Sequence, residues 1–116
     1  MGDDYLVTSV RSYSSGTIGR SLNTAGRHNF VVDSPSLGEE LTSGDVFLAG
    51  ISSCGVNLVE GAARDSGVPL SHLEVTIDGK RKPDAPMNFA RVEMRFTLTG
   101  PTQEQAETLI QRYKDL

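Results

Sequence analysis

Apolar positions in this chain recur with two different periods. In the first third they alternate with polar ones. Residues 5–13, "YLVTSVRSY", are rich in β-branched and aromatic types, and "SSG" then breaks the run before "TIGRSLNT" at 17–24. After "AG", His28, Phe30 and Val32 alternate with Asn29, Val31 and Asp33. The pattern predicts three antiparallel strands joined by short hairpins.

Between 43 and 67 the period changes. Phe47, Gly50, Ile51, Cys54 and Leu58 recur at helical spacing, which predicts one apolar stripe with Cys54 on its buried side. The helix is expected to begin near Ser43, where Thr42 and Asp45 resemble a capping box, and to stop at Gly67. Alternation then returns: Leu73, Val75 and Ile77 against His72, Glu74, Thr76 and Asp78, then Val92, Met94, Phe96 and Leu98 against Arg91, Glu93, Arg95 and Thr97. A closing helix starts at Pro101 and Thr102 and runs through Ala106, Leu109, Ile110 and Tyr113 to Leu116, with no cap. The order β-β-β-α-β-β-α, with strands clustered around a long central helix, is α+β rather than alternating parallel.

Composition narrows the class. A chain of 116 residues suits a single domain over 1–116. The longest uncharged stretch, Val46 to Val59, is short for a bilayer and rich in Gly, Ser and Asn, so no membrane span is expected. The first residues, "MGDDYLVTSV", carry two acids where a secretory signal is basic, and the expected location is the cytoplasm. A net charge of −4 leaves no broad positive field for nucleic acid. The basic run "GKRKP" at 79–83 reads as a solvated hairpin tip.

Candidate chemistry centres on Cys54, the one cysteine in the sequence, which can form no internal disulfide. It is either a small buried apolar residue or a reactive thiol. Arg20 shares a strand face with Ile18 and Leu22, a setting that calls for a charge partner. His28 and His72 stand apart from any ligand-like spacing, so no metal site is expected. Glu39 and Glu40, adjacent on a loop, read as solubilising charges without fixed geometry.

The segment "LTSGDVFLAGISSCGVNLVEGAARDSGVPLSHLEVTIDG", residues 41–79, resembles the OsmC/Ohr family, named for osmotic induction and organic hydroperoxide resistance. The shared pattern is a small-residue run ending in cysteine, an alanine-containing continuation, a helix stop at Gly-Val and a strand of LxVxIxG type. "GRSLNTAGRHNFVVDSP" is similar to the family's early hairpin, and "FARVEMRFTLTGPTQEQAETLIQRYKD" to its late strand and helix.

The resemblance implies an OsmC-like intertwined homodimer that reduces organic hydroperoxides without metal or flavin. A thiolate attacks the peroxide, and a second cysteine resolves the sulfenic acid. Cys54 matches the attacking cysteine and Arg20 the activating arginine, with Arg27 as the other candidate. The family's carboxylate stands nine or ten residues before the cysteine, where this chain has Asp45 and Gly44. Nine helical residues turn about 900°, so Asp45 faces away from Cys54 of its own chain, and a helix-capping role is favoured over a catalytic one. Relatives carry the second cysteine beyond a helix like "AETLIQRYKD", whereas this sequence ends at Leu116 without it. An external dithiol reductant is therefore expected. The alternatives are an OsmC-like dimer binding a small apolar molecule, and a redox sensor acting through Cys54.

Overall fold

The structure, a computed structural model, describes residues 4–115. Its elements follow the predicted order: β1 Val10–Ser14, β2 Arg20–Ala25, β3 His28–Asp33, α1 Ser43–Ser66, β4 His72–Lys80, β5 Arg91–Thr99 and α2 Gln103–Lys114. The predicted end of α2 at Leu116 lies outside the described residues. By internal contacts the chain divides after Val46 into two compact units.

The first unit is an antiparallel sheet in the order β1-β2-β3. Gly26, at φ +62° and followed by Arg27 at negative φ, takes the first central position of the β2–β3 turn, as in a type II′ hairpin. That turn sets Ala25 opposite His28 and, counting back, Arg20 opposite Asp33. The first strand is shorter than predicted at its start, because β2 ends at Ala25 and the β1 ladder therefore ends at its partner, Val10. Tyr5, Leu6 and Val7 lie outside regular structure and are exposed. The second strand begins at Arg20 rather than Thr17, since Gly16 and Gly19 at φ +98° and +93° carry the connection through conformations a strand does not use.

α1 starts and stops where predicted. Thr42 Oγ1 accepts from the Asp45 N–H at 3.1 Å, and the Asp45 carboxylate accepts from the Thr42 N–H at 3.0 Å, a reciprocal capping box. At the other end Gly67, at φ +70°, donates to Arg64 O, and Val68 N–H reaches Ala63 O at 3.0 Å. This is the paired bonding of a Schellman stop.

The buried face of α1 differs from the predicted one. Gly55, Val59 and Ala63 are buried, while Phe47, Gly50 and Cys54 are exposed. Small side chains set the helix orientation. A Cβ on Gly55 would stand 3.3 Å from Met94 Cε and 3.6 Å from both the Phe96 and Tyr113 rings, so β5 and α2 pack directly against that backbone. The bulkier apolar residues suggested a stripe one position away. The core of this unit is Val59, Ala63, Leu73 and Leu109, with Phe96, Leu98 and Tyr113 packed around it.

β4 and β5 pair antiparallel from His72↔Thr99 to Lys80↔Arg91, and 81–90 form their connection. Leu73 is buried and Val75, Ile77, Phe96 and Leu98 are half-buried, but Val92, expected on the apolar face, is exposed at the end of the hairpin next to the 81–90 connection. α2 opens on a second capping box between Thr102 and Gln105. Among the described residues α1 is the one helix long and apolar enough to cross a membrane by length and composition. The core helix of a soluble protein meets the same measure, and α1 supplies Val59 and Ala63 to the core.

Candidate functional site

Cys54 stands in the middle of α1 as an exposed free thiol. Its neighbours Ser52 and Ser53 turn their hydroxyls back onto the carbonyls of Ala49 and Gly50, at 3.2 and 3.3 Å. These serines are thus satisfied by their own helix. The burial of Gly55 places the adjacent thiol outside the core, so within the single chain Cys54 is not on the buried stripe that the spacing predicts.

In the first unit, the partner that the position of Arg20 calls for is Asp33. Arg20 Nε donates to Asp33 Oδ1 at 2.7 Å and Nη2 to Oδ2 at 2.8 Å, a two-pronged pair. Nη2 also meets Glu39 Oε1 at 2.8 Å. Asp33 has no exposed side-chain surface, and its Oδ2 accepts two further bonds, from the backbone N–H of Glu39 at 3.2 Å and of Glu40 at 3.0 Å. The hydrogen bonds from Arg20 hold the Asp33 carboxyl at about 2, against the opposing effect of its burial and with help from the two backbone donors. The same bonds, first from Asp33 and then from Glu39, push the Arg20 guanidinium above its ordinary value.

The loop carrying Glu39 and Glu40 is therefore ordered by Asp33, which corrects their reading as charges without fixed geometry. Sequence reasoning passed over Asp33 as one polar member of an alternating strand. The signal was available in the hairpin turn, which sets Arg20 and Asp33 opposite each other. Arg27, the other arginine considered, is exposed in the β2–β3 turn. Asp45 caps α1 through Thr42, and Cys54 follows nine positions later along the same unbroken helix. His28 and His72 are both exposed at strand starts. No group of three or more His, Cys, Asp and Glu side chains among the described residues could hold a metal ion.

This α+β element order, with a three-stranded antiparallel sheet followed along the chain by a long cysteine-bearing helix, an antiparallel strand pair and a second helix, is that of the OsmC-like fold. The sequence model of the OsmC-like protein family matches residues 36–116, and the chain belongs to that family. No curated protein sequence matches it.

Solved structures share the fold at low identity. A hypothetical protein of Aquifex aeolicus VF5 superimposes with a TM-score of 0.79 at 15% identity, over 92% of this chain and 78% of its own. The OsmC-like protein of Mycoplasma pneumoniae gives 0.76 at 10%, over 97% and 82%. An organic hydroperoxide resistance protein OsmC of Legionella pneumophila, described as a predicted redox protein and regulator of sulfide bond formation, gives 0.73 at 16%, over 97% and 85%.

Proposed function

We propose that this protein is a homodimeric, thiol-dependent reductase of organic hydroperoxides, with Cys54 as its nucleophile and Arg20 as the cation that favours the thiolate. The observation that carries the reading is the exposure of the lone cysteine on α1, inside the region that matches the family. The names of the hydroperoxide resistance proteins that share the fold support it.

The chemistry follows from the residue types. A thiolate is the attacking species, and a free thiol with a pKa near 8.5 is only a few per cent ionised at neutral pH. A guanidinium cannot deprotonate under these conditions, so it favours the charged form whenever it faces the sulfur. The thiolate attacks the terminal peroxide oxygen and the O–O bond breaks. The sulfur becomes a sulfenic acid, and the alkoxide leaves as alcohol after taking a proton. One external thiol condenses with the sulfenic acid, releasing water and leaving a mixed disulfide. A second thiol then exchanges with it, returning Cys54 to the reduced state and leaving the reductant as its disulfide. Asp45 is given no step, because its carboxylate already serves the start of α1.

Consumption of cumene hydroperoxide with dihydrolipoamide or dithiothreitol tests this, with the wild-type protein compared against Cys54→Ser. Turnover that the serine variant loses is the expected result. Equal consumption by both proteins, or none by either, rejects the peroxidase reading. Trapping of a Cys54 sulfenic acid without turnover would point to a sensor. Co-purification of a small apolar molecule with an inert thiol would point to a binder.

A further inference from the structure

We infer that Asp33 is a positioning residue for the proposed reaction, its carboxylate fixing the direction in which the Arg20 guanidinium presents itself. The inference rests on the reading of Arg20 given above and extends it to a residue which that reading leaves out.

Three observations carry it. The first is completeness: Asp33 has no exposed side-chain surface, and its two oxygens accept four hydrogen bonds, two from Arg20 and two from the backbone of Glu39 and Glu40. A buried carboxylate so saturated has one stable arrangement. The second is the shape of the contact. Nε and Nη2 pair with Oδ1 and Oδ2 side by side, which fixes the plane of the guanidinium as well as its distance. A lysine ammonium carries the same charge but has no plane to fix. The third is that the chain on either side is also tied down: Arg20 faces Asp33 in the β2–β3 register, and Ser34 N–H donates to Gly19 O at 2.7 Å. Glu39, with its side chain 72% exposed, holds only Nη2 and adds charge more than direction.

Direction matters because Asp33 and Glu39 offset the charge of Arg20. Two carboxylates on one guanidinium leave the trio formally anionic, so the asset Arg20 retains is an aimed donor rather than a free positive charge. Removing Asp33 thus separates two effects of opposite sign. If Arg20 acted only through net charge, Asp33→Asn would strengthen it and move thiol ionisation to lower pH. If it acts through orientation, the same change moves ionisation to higher pH.

The test measures the rate of Cys54 alkylation by iodoacetamide against pH, together with cumene hydroperoxide turnover, in full-length wild type, Asp33→Asn, Arg20→Gln, Arg20→Lys and the Asp33→Asn/Arg20→Gln double variant. Expected are alkylation midpoints raised in all four variants and kcat/KM lowered about tenfold or more. The double variant should be no worse than Arg20→Gln, since Asp33 acts through Arg20. Arg20→Lys keeps the charge at a partly exposed position, and it covers the case in which Asp33→Asn fails to fold. Wild-type behaviour of Arg20→Lys, a downward shift in Asp33→Asn, or additive losses in the double variant would each overturn the inference while leaving Arg20 in the reaction. An alkylation curve that Arg20→Gln leaves unmoved would instead remove Arg20 itself, and the inference with it.

Discussion

A buried carboxylate is stable in the folded chain only while it is ionised and bonded, and this makes Asp33 the residue through which acid acts on the first unit. Its pKa is lowered from 3.8 to about 2, so between those values the unfolded chain binds the proton that the folded chain refuses. The stabilisation is present in full above the unfolded value and is lost as pH falls through about 2. Urea midpoints of wild type and Asp33→Asn should differ most above about pH 5 and converge toward about pH 2. A gap that stays constant with pH would remove the pair as its source. Arg20 has the opposite sign: its raised pKa contributes stability that is complete below the ordinary guanidinium value, so no alkaline counterpart is expected in the accessible range. At Cys54 the separation is between stability and function. The thiol is exposed, so Cys54→Ser should change stability by less than about 0.5 kcal/mol in thermal melts while abolishing peroxide turnover. Both residues show what a sequence conveys at this scale. Cys54 and Arg20 were legible as chemistry, whereas the burial of Asp33 and the exposure of Cys54 depend on partners far along the chain.

Element boundaries were legible where local chemistry sets them. The Thr42–Asp45 capping box and the Gly67 stop of α1 are short-range bonds written within a few residues, and the start of α2, read at Pro101 and Thr102, is fixed by a local box between Thr102 and Gln105 that the structure adds. The face that α1 buries was not, because Gly55 is selected by contact with β5 and α2, and a glycine adds nothing to an apolar count. The two roles weighed for Asp45 separate experimentally here. Asparagine keeps an oxygen for the Thr42 N–H and removes the charge, so Asp45→Asn should leave the melting temperature and turnover close to wild type. A drop of about tenfold in kcat/KM at unchanged stability would return the carboxylate to the reaction. The β4–β5 connection holds a second contact that period counting could not reach. Phe89 stacks on Phe47 with ring centroids 5.9 Å apart and lies against Gly79, where an added Cβ would stand 2.7 Å from the ring Cδ1 and 3.1 Å from Leu48 Cδ1. Gly79→Ala must therefore displace the ring. The expected cost is about 1–3 kcal/mol by denaturant unfolding, and it should largely vanish when Phe89→Ala is already present.

For the whole molecule, the apolar groups that the single chain leaves in solvent weigh against a monomer. Tyr5, Leu6 and Val7 are 84%, 106% and 78% exposed in succession, every residue of β1 is exposed, and Phe47 on α1 is 55% exposed. Three consecutive exposed apolar residues are a defect in a soluble monomer unless something covers them. The proposed occupant is a second copy of the chain, as the family resemblance implies, and a symmetric pair would cover the same patch twice. Light scattering should then give twice the chain mass at micromolar concentration, and the melting temperature should rise with protein concentration, because association stabilises only the folded chain. Leu6 serves as the probe because its side chain is fully exposed in the single chain. Leu6→Asp would be neutral to a monomer, but in the dimer it places a carboxylate in an apolar contact and should lower both the mass and the melting temperature. A wild-type protein that scatters as one chain, with a melting temperature independent of concentration and unaffected by Leu6→Asp, would reject the dimer and leave the peroxidase reading to stand on a single chain.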